Sequence, residues 1–168
     1  SRSTIGKLIT DSGLPRFVDI NIRPPWFERD WLPELLGGAR WIKINRDELA
    51  LLNNRNVMTA ADIAEASKAL RGTYASGPQW HYITCGGDGA YVVAPDEQML
   101  FAAAPPPVPL ADTVGAGDAF AAATIAGILA GDRAKDTLQA AVQFASRTCS
   151  LQGATTENRE HYQHAPTR

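Results

Sequence analysis

Residues 111–130 read "ADTVGAGDAFAAATIAGILA", and the reading of the first eight of them decides the fold. Gly115, Gly117 and the acid Asp118 stand directly before an alanine-rich run that carries no charge until Asp132. Glycine tolerates positive φ, so 115–117 reads as a tight turn, and the apolar run reads as a helix of about 117–130 with Gly131 as its stop. A turn of this kind delivers the chain to a helix N-terminus, where unpaired N–H groups and the dipole favour an anion. Asp118 then has two readings. It is an acid in the first turn that complements the dipole, or it is a group that handles a proton beside a bound anion.

Outward from that turn, the elements alternate. "RFVDINIR" (16–23) reads as a strand whose polar residues gather at its C-terminal end, and "PPWFERDWLPELL" as a turn and a short helix that Pro24 and Pro25 keep from starting earlier. "RWIKIN" (40–45) is a second strand and "RDELALLN" a short helix. "TAADIAEASKALRG" (59–72) is an amphipathic helix that Thr59 can cap and Gly72 can end. "WHYITCG" (80–86) is a third strand, and "GAYVVAP" with "QMLFAAA" (98–104) forms a hairpin. "PPPVPLAD" is an extended, polyproline-like connector. A last helix spans about 134–151, and the tail from 156 reads as frayed. Strands alternating with helices predict an α/β fold with a mostly parallel, doubly covered sheet and an added hairpin.

Composition sets the bounds. The 168 residues suffice for one domain with a sizeable core, and 45% hydrophobic with 20% charged residues is ordinary for a globular protein. A net charge of −2 gives no electrostatic reason to expect nucleic acid or an anionic membrane as partner. No apolar run reaches the ~20 residues of a membrane span, and the polar start "SRSTIGKLITDSG" is unlike a secretory signal. Cys85 and Cys149 lie far apart without metal-type spacing and read as reduced thiols of a cytoplasmic protein. The four tryptophans read as packing residues, and the three histidines form no ligand pattern.

In an open α/β sheet, ligands bind beyond the C-terminal strand ends. Polar residues collect there: Asp19, Asn21 and Arg23 after the first strand, Asn45 and Glu48 after the second, Thr84 and Gly86 after the third. The glycine turn is no Walker A loop, because no Lys-Ser or Lys-Thr follows, and it lacks the full dinucleotide fingerprint. Asn45 and Glu48 also have the form of a capping box, which is a purely structural role. A surface salt bridge would explain Arg23 nearly as well as an anion contact does.

"DTVGAGDAFAAATIAGIL" resembles the C-terminal signature of the PfkB (ribokinase-like) carbohydrate kinases. "DINIRPPW" (19–26), "NRDE" (45–48) and "TCGGDGAYVV" (84–93) resemble further motifs of that family in the same order. The resemblance implies a three-layer α/β/α ribokinase-like sheet and transfer of the γ-phosphoryl group of ATP to a sugar hydroxymethyl group. It implies that Asp118 is the base and that Gly115, Ala116 and Gly117 are the anion hole. Asn45 and Glu48 would serve magnesium and phosphate through water; Thr84, Gly86 and Gly89 would form the nucleotide-side loop. Asp112 and the Val114 carbonyl would hold a monovalent cation such as K+, with Gly153 nearby. Asp19, Asn21 and Arg23 resemble the D-x-N-x-R stretch of fructokinase-like and 2-keto-3-deoxygluconate kinase-like members. Members of the family are about twice as long, so 1–155 reads as the nucleotide-binding, C-terminal portion, with the N-terminal half and lid absent. A homodimer or association through the face so exposed is then expected. The alternative reading is a truncated, non-catalytic module that binds only nucleotide or phosphate.

Overall fold

The computed structural model of the chain describes residues 2–23, 27–105 and 110–162. Pro24, Pro25, Trp26, most of the proline connector (106–109) and the tail from 163 lie outside the described residues. The elements run α1 (Arg2–Asp11), β1 (Arg16–Asp19), α2 (Leu32–Leu36), β2 (Ala39–Asn45), α3 (Arg46–Asn53), α4 (Ala60–Tyr74), β3 (Trp80–Thr84), β4 (Gly89–Val93), β5 (Met99–Ala103), α5 (Ala116–Ala130) and α6 (Ala134–Thr148). The strands make one open, mixed sheet in the order β1-β2-β3-β4-β5. The α/β alternation expected from the sequence is therefore present. The chain divides into two compact units, Ser1–Ile83 with Val93–Met99, and Thr84–Val92 with Leu100–Arg168. No helix among the described residues is long and apolar enough to cross a membrane.

In the first unit β2 is the buried strand, with Ile42 and Ile44 fully enclosed and α2 and α3 packed on it. It runs parallel to β1 with Phe17 opposite Trp41, Val18 opposite Ile42 and Asp19 opposite Lys43. The strand expected to reach residue 23 stops at Asp19. Ile20 N still donates to Lys43 O at 2.9 Å, but Ile22 N donates to Glu48 Oε1 at 2.9 Å. A side chain from α3 thus takes the place of the next ladder bond. Thr59 caps α4 as expected, in a reciprocal box: Asp62 N donates to Thr59 Oγ1 at 3.2 Å and Thr59 N donates to Asp62 Oδ2 at 2.9 Å. Gly72 does not end this helix, which continues to Tyr74. The stop comes from outside, where Ser76 N donates to Gly37 O at 2.7 Å and draws the chain out of helical register.

A buried polar chain crosses the same unit. Gln79 Nε2 donates to Leu36 O at 2.5 Å, which turns Gln79 Oε1 toward His81 Nε2 at 3.3 Å. His81 Nδ1, at 2.5 Å from Ser67 Oγ, is then left to accept from that hydroxyl. Burial, with the Arg71 charge adding to it, pushes the fully enclosed imidazole down to about 3. The unfolded chain binds a proton at about pH 6.5 that the folded chain refuses until far lower pH. Stability is therefore complete above pH 6.5 and falls by up to ~1.4 kcal/mol per pH unit below it. Urea midpoints at pH 7 and pH 5 should show this loss, and His81→Gln should flatten it; an unchanged slope in the variant would locate the acid sensitivity elsewhere.

In the second unit α5 and α6 pack closely. A Cβ at Gly127 would lie 2.6 Å from Thr137 Oγ1 and 2.8 Å from its Cγ2, so glycine is what permits the approach. Gly131 ends α5 as expected, at φ +74, with Asp132 N donating back to Gly127 O at 3.0 Å. The α6 helix ends at Thr148 instead of about 151, because the Ala111 and Asp112 amides claim Cys149 O at 3.0 and 3.2 Å. Beyond it, Arg159–Tyr162 form a 3-10 turn whose His161 and Tyr162 rings sit 5.4 and 6.3 Å from that of Phe144. Cys85 is buried and Cys149 half-buried, and neither forms a disulfide among the described residues.

Candidate active site

The residues singled out by sequence divide between the units: Asp19, Asn21, Arg23, Asn45 and Glu48 belong to the first, and Thr84, Gly86, Gly89 and residues 112–118 to the second. In the second unit the glycine turn is held from behind. Asp112 Oδ1 accepts from Val114 N at 3.0 Å and Oδ2 from Gly153 N at 3.2 Å. The Val114 amide foremost, with those of Gly153 and Thr113, keeps the Asp112 carboxyl below the usual carboxylate range against the opposing effect of burial. Gly115 has φ +82, and a Cβ there would meet Ala154 Cβ at 2.7 Å and Cα at 2.8 Å. Both the conformation and the backbone contact exclude any other residue.

The turn then opens into α5. Ala116 N donates to Thr113 O at 3.3 Å and Ala119 N closes the first helical bond on Gly115 O at 2.8 Å. Between them, the Gly117 and Asp118 amides find no protein acceptor among the described residues. Asp118 is exposed, and its carboxylate makes no hydrogen bond or ion pair among those residues. The Val114 carbonyl likewise accepts no backbone bond there. A free carboxylate beside unclaimed amides at a helix N-terminus can take up a proton and offer donors to negative charge.

Thr84 closes β3, and its hydroxyl has no partner among the described residues. A short 3-10 turn follows, closed by Cys85 N on Gly89 O at 2.8 Å and Asp88 N on Cys85 O at 3.2 Å. Gly86 sits at φ +58 with nothing within 4 Å of a built Cβ, so its surface is open to an approaching group. Gly89 differs. At φ +120 it faces the β5 backbone, and a Cβ would lie 2.1 Å from Ala102 O.

In the first unit Asn45 and Glu48 form the capping box of α3: Glu48 N donates to Asn45 Oδ1 at 2.8 Å and Asn45 N donates to Glu48 Oε2 at 3.0 Å. The other carboxylate oxygen accepts from Ile22 N, and Glu48 is only 9% exposed. Arg23 is exposed and donates through Nε to Asn21 Oδ1 at 3.2 Å. It forms no salt bridge among the described residues, so the ion-pair reading of this residue finds no partner there. Asp19, singled out with them, pairs with Lys43, whose Nζ reaches Oδ1 at 2.9 Å and Oδ2 at 3.1 Å. Sequence reading missed Lys43. A lysine inside the apolar alternation "WIKIN", two residues before Asn45, is the signal that could have found it.

The donor set for a divalent cation can be tested on these atoms. Magnesium demands near-octahedral oxygen ligation. Both Glu48 oxygens and Asn45 Oδ1 already hold backbone amides, and no three metal-type side chains cluster among the described residues. These residues do not fit direct ligation of the ion, and any contact from Glu48 would pass through water.

Residues 7–161 match the model of the pfkB family carbohydrate kinases. The chain belongs to that family. Mouse (Mus musculus) ketohexokinase is 31% identical over 150 residues, covering 83% of this chain and 48% of the relative. The 1-phosphofructokinase of Haloferax volcanii is 36% identical over 124 residues, covering 74% of this chain and 39% of the relative. The structure of Arabidopsis thaliana ribokinase complexed with ribose and ATP superposes with a TM-score of 0.79 at 20% identity, covering 99% of this chain and 52% of that one. The ribokinase-like fold expected from the four motifs is therefore present in this pfkB chain. The chain spans about half the length, or less, of the relatives it matches.

Proposed function

We propose that the pfkB chain carries the phosphoryl-transfer end of an ATP-dependent sugar kinase, with Asp118 as the base that takes the proton from the attacking hydroxymethyl group. The observation that carries this reading is the unpartnered Asp118 carboxylate beside the unclaimed Gly117 and Asp118 amides at the start of α5. Positioning and electrostatics do most of the work in phosphoryl transfer, so a preset carboxylate and preset donors suit it. Gly115, Ala116 and Gly117 form the anion hole for charge on the transferred group. Thr84, Gly86 and Gly89 make up the nucleotide-side loop, with Asn45 and Arg23 serving phosphate. Asp112, which stays ionised, and the unclaimed Val114 carbonyl fit a monovalent cation such as K+. Magnesium carried on the nucleotide would supply neutralisation of phosphate charge, with Glu48 meeting it only through water. The acceptor is a ketose of the fructose kind, a reading supported by the ketohexokinase and 1-phosphofructokinase relatives, and the kinase works in the cytoplasm.

A coupled ADP-release assay of the full protein with fructose and fructose 1-phosphate tests the proposal. ATP-dependent turnover on a ketose supports it, and ADP release that no sugar stimulates would sink it. A second reading is a module that holds nucleotide or phosphate without transfer. It would show as Mg-ADP binding in calorimetry with no sugar-dependent turnover.

A further inference from the structure

The way Glu48 is bound points to a task other than direct ligation of a metal. We infer that Glu48 is a positioning residue: its carboxylate holds the segment after β1 in place and thereby sets the guanidinium of Arg23 where it meets an anionic ligand. The inference rests on the proposed function for the nature of that anion, a nucleotide phosphate, but its structural half stands on geometry alone.

The segment leaving β1 is bound at Asp19, Ile20 and Ile22 to the end of β2 and the first turn of α3. Asp19 is opposite Lys43 and takes its ammonium on both carboxylate oxygens. Ile20 N donates to Lys43 O at 2.9 Å and Ile22 N to Glu48 Oε1 at 2.9 Å. Glu48 is itself fixed, because its other oxygen takes Asn45 N and its own amide donates to Asn45 Oδ1. Lys43 and Glu48 are both buried, so the Asp19–Lys43 and Ile22–Glu48 bonds are charge-assisted and partly sheltered from water, while the Ile20 bond is an ordinary ladder bond. Arg23 follows Ile22 directly. Its Nε is spent on Asn21 Oδ1, and its two Nη groups have no partner among the described residues. The clamp therefore ends on a guanidinium held by one edge with its fork free, an arrangement suited to a phosphate.

Glu48→Gln separates the two jobs of this carboxylate. Glutamine serves a capping box as well as glutamate does, so its oxygen can keep Asn45 N. Its amide nitrogen would then face Ile22 N, donor against donor, and the Ile22 bond is lost. In the full chain, amide exchange by NMR should be faster at Ile22 by about tenfold or more in the variant, while Asn45 stays protected. Titration with Mg-ADP should show weakened affinity, and the magnesium midpoint at fixed ADP should stay at the wild-type value. Arg23→Gln, an exposed change that leaves the fold alone, should weaken Mg-ADP to the same degree, and the double variant should add nothing further.

Unchanged exchange at Ile22 overturns the clamp. A shifted magnesium midpoint, or losses that add in the double variant, overturns the link to Arg23 and returns Glu48 to the metal. If wild type binds no Mg-ADP, the link to a nucleotide phosphate is overturned together with the proposed function, and Ile22 exchange alone decides whether the clamp stands.

Discussion

Replacing Asp118 by Asn in the full protein is expected to lower kcat by about 10²–10⁴-fold, the range a positioned general base contributes. Asparagine keeps the size of the side chain and can still face the free amides of α5, but it cannot accept the proton of an attacking hydroxyl. The variant should therefore bind Mg-ADP as wild type does and fail at the chemical step. The structural alternative makes a different and much smaller prediction. An exposed acid in the first turn of a helix contributes about 0.3–1 kcal/mol through the dipole and nothing to turnover. Its removal would show as a Tm lower by a few degrees with kcat close to wild type. Kinetics and calorimetry on the same preparation decide between the two, because the carboxylate has no bond among the described residues whose loss could confuse them.

What could be read from the sequence follows from the distance over which each feature is determined. The stop at Gly131 and the cap at Thr59 depend on residues within five positions, and both are where the pattern put them. The Asn45–Glu48 box is equally local and equally legible. The end of β1 is different. Ile22 belongs to the strand by its apolar alternation, and only a carboxylate 26 residues away takes its amide out of the ladder. Gly72 looked like a helix stop for want of the same knowledge, since the bond that ends α4 reaches from Ser76 to Gly37. Lys43 was hidden because a lysine in a strand reads as an exposed residue, and its burial depends on Asp19 lying opposite. In the glycine turn the residue types were legible, whereas the reason for Gly115 was not: Ala154, far along the chain, presses against it.

Gly89 and Gly86 carry the largest structural prediction, because the same substitution three residues apart should have effects of very different size. Gly86→Ala places a methyl in open space at φ +58, a left-handed conformation that costs a non-glycine residue about 1–2 kcal/mol. Gly89→Ala places it 2.1 Å from Ala102 O, 2.8 Å from Ala104 N and 2.9 Å from Ala103 Cα, at φ +120, where the backbone is close to a glycine-only region. All three atoms belong to the backbone of β5 or the residue after it, so no side-chain rotation relieves the clash and β5 must leave β4. A loss of about 3 kcal/mol or more is expected, which for a chain of this size lowers Tm by roughly 6–12 °C. Tyr91 and Phe101, whose tilted rings meet across the same two strands at 4.6 Å, would lose their contact as the strands part, giving a near-ultraviolet signal of the same event. Equal and modest drops in the two variants would mean that β5 yields easily, and the steric account of Gly89 would fail. The contrast also governs how nucleotide binding is read. Lost affinity in Gly89→Ala reports only a displaced strand, whereas lost affinity in Gly86→Ala with only the smaller Tm drop of its left-handed backbone reports on a surface that a phosphate can approach. Only the second of these bears on the nucleotide loop.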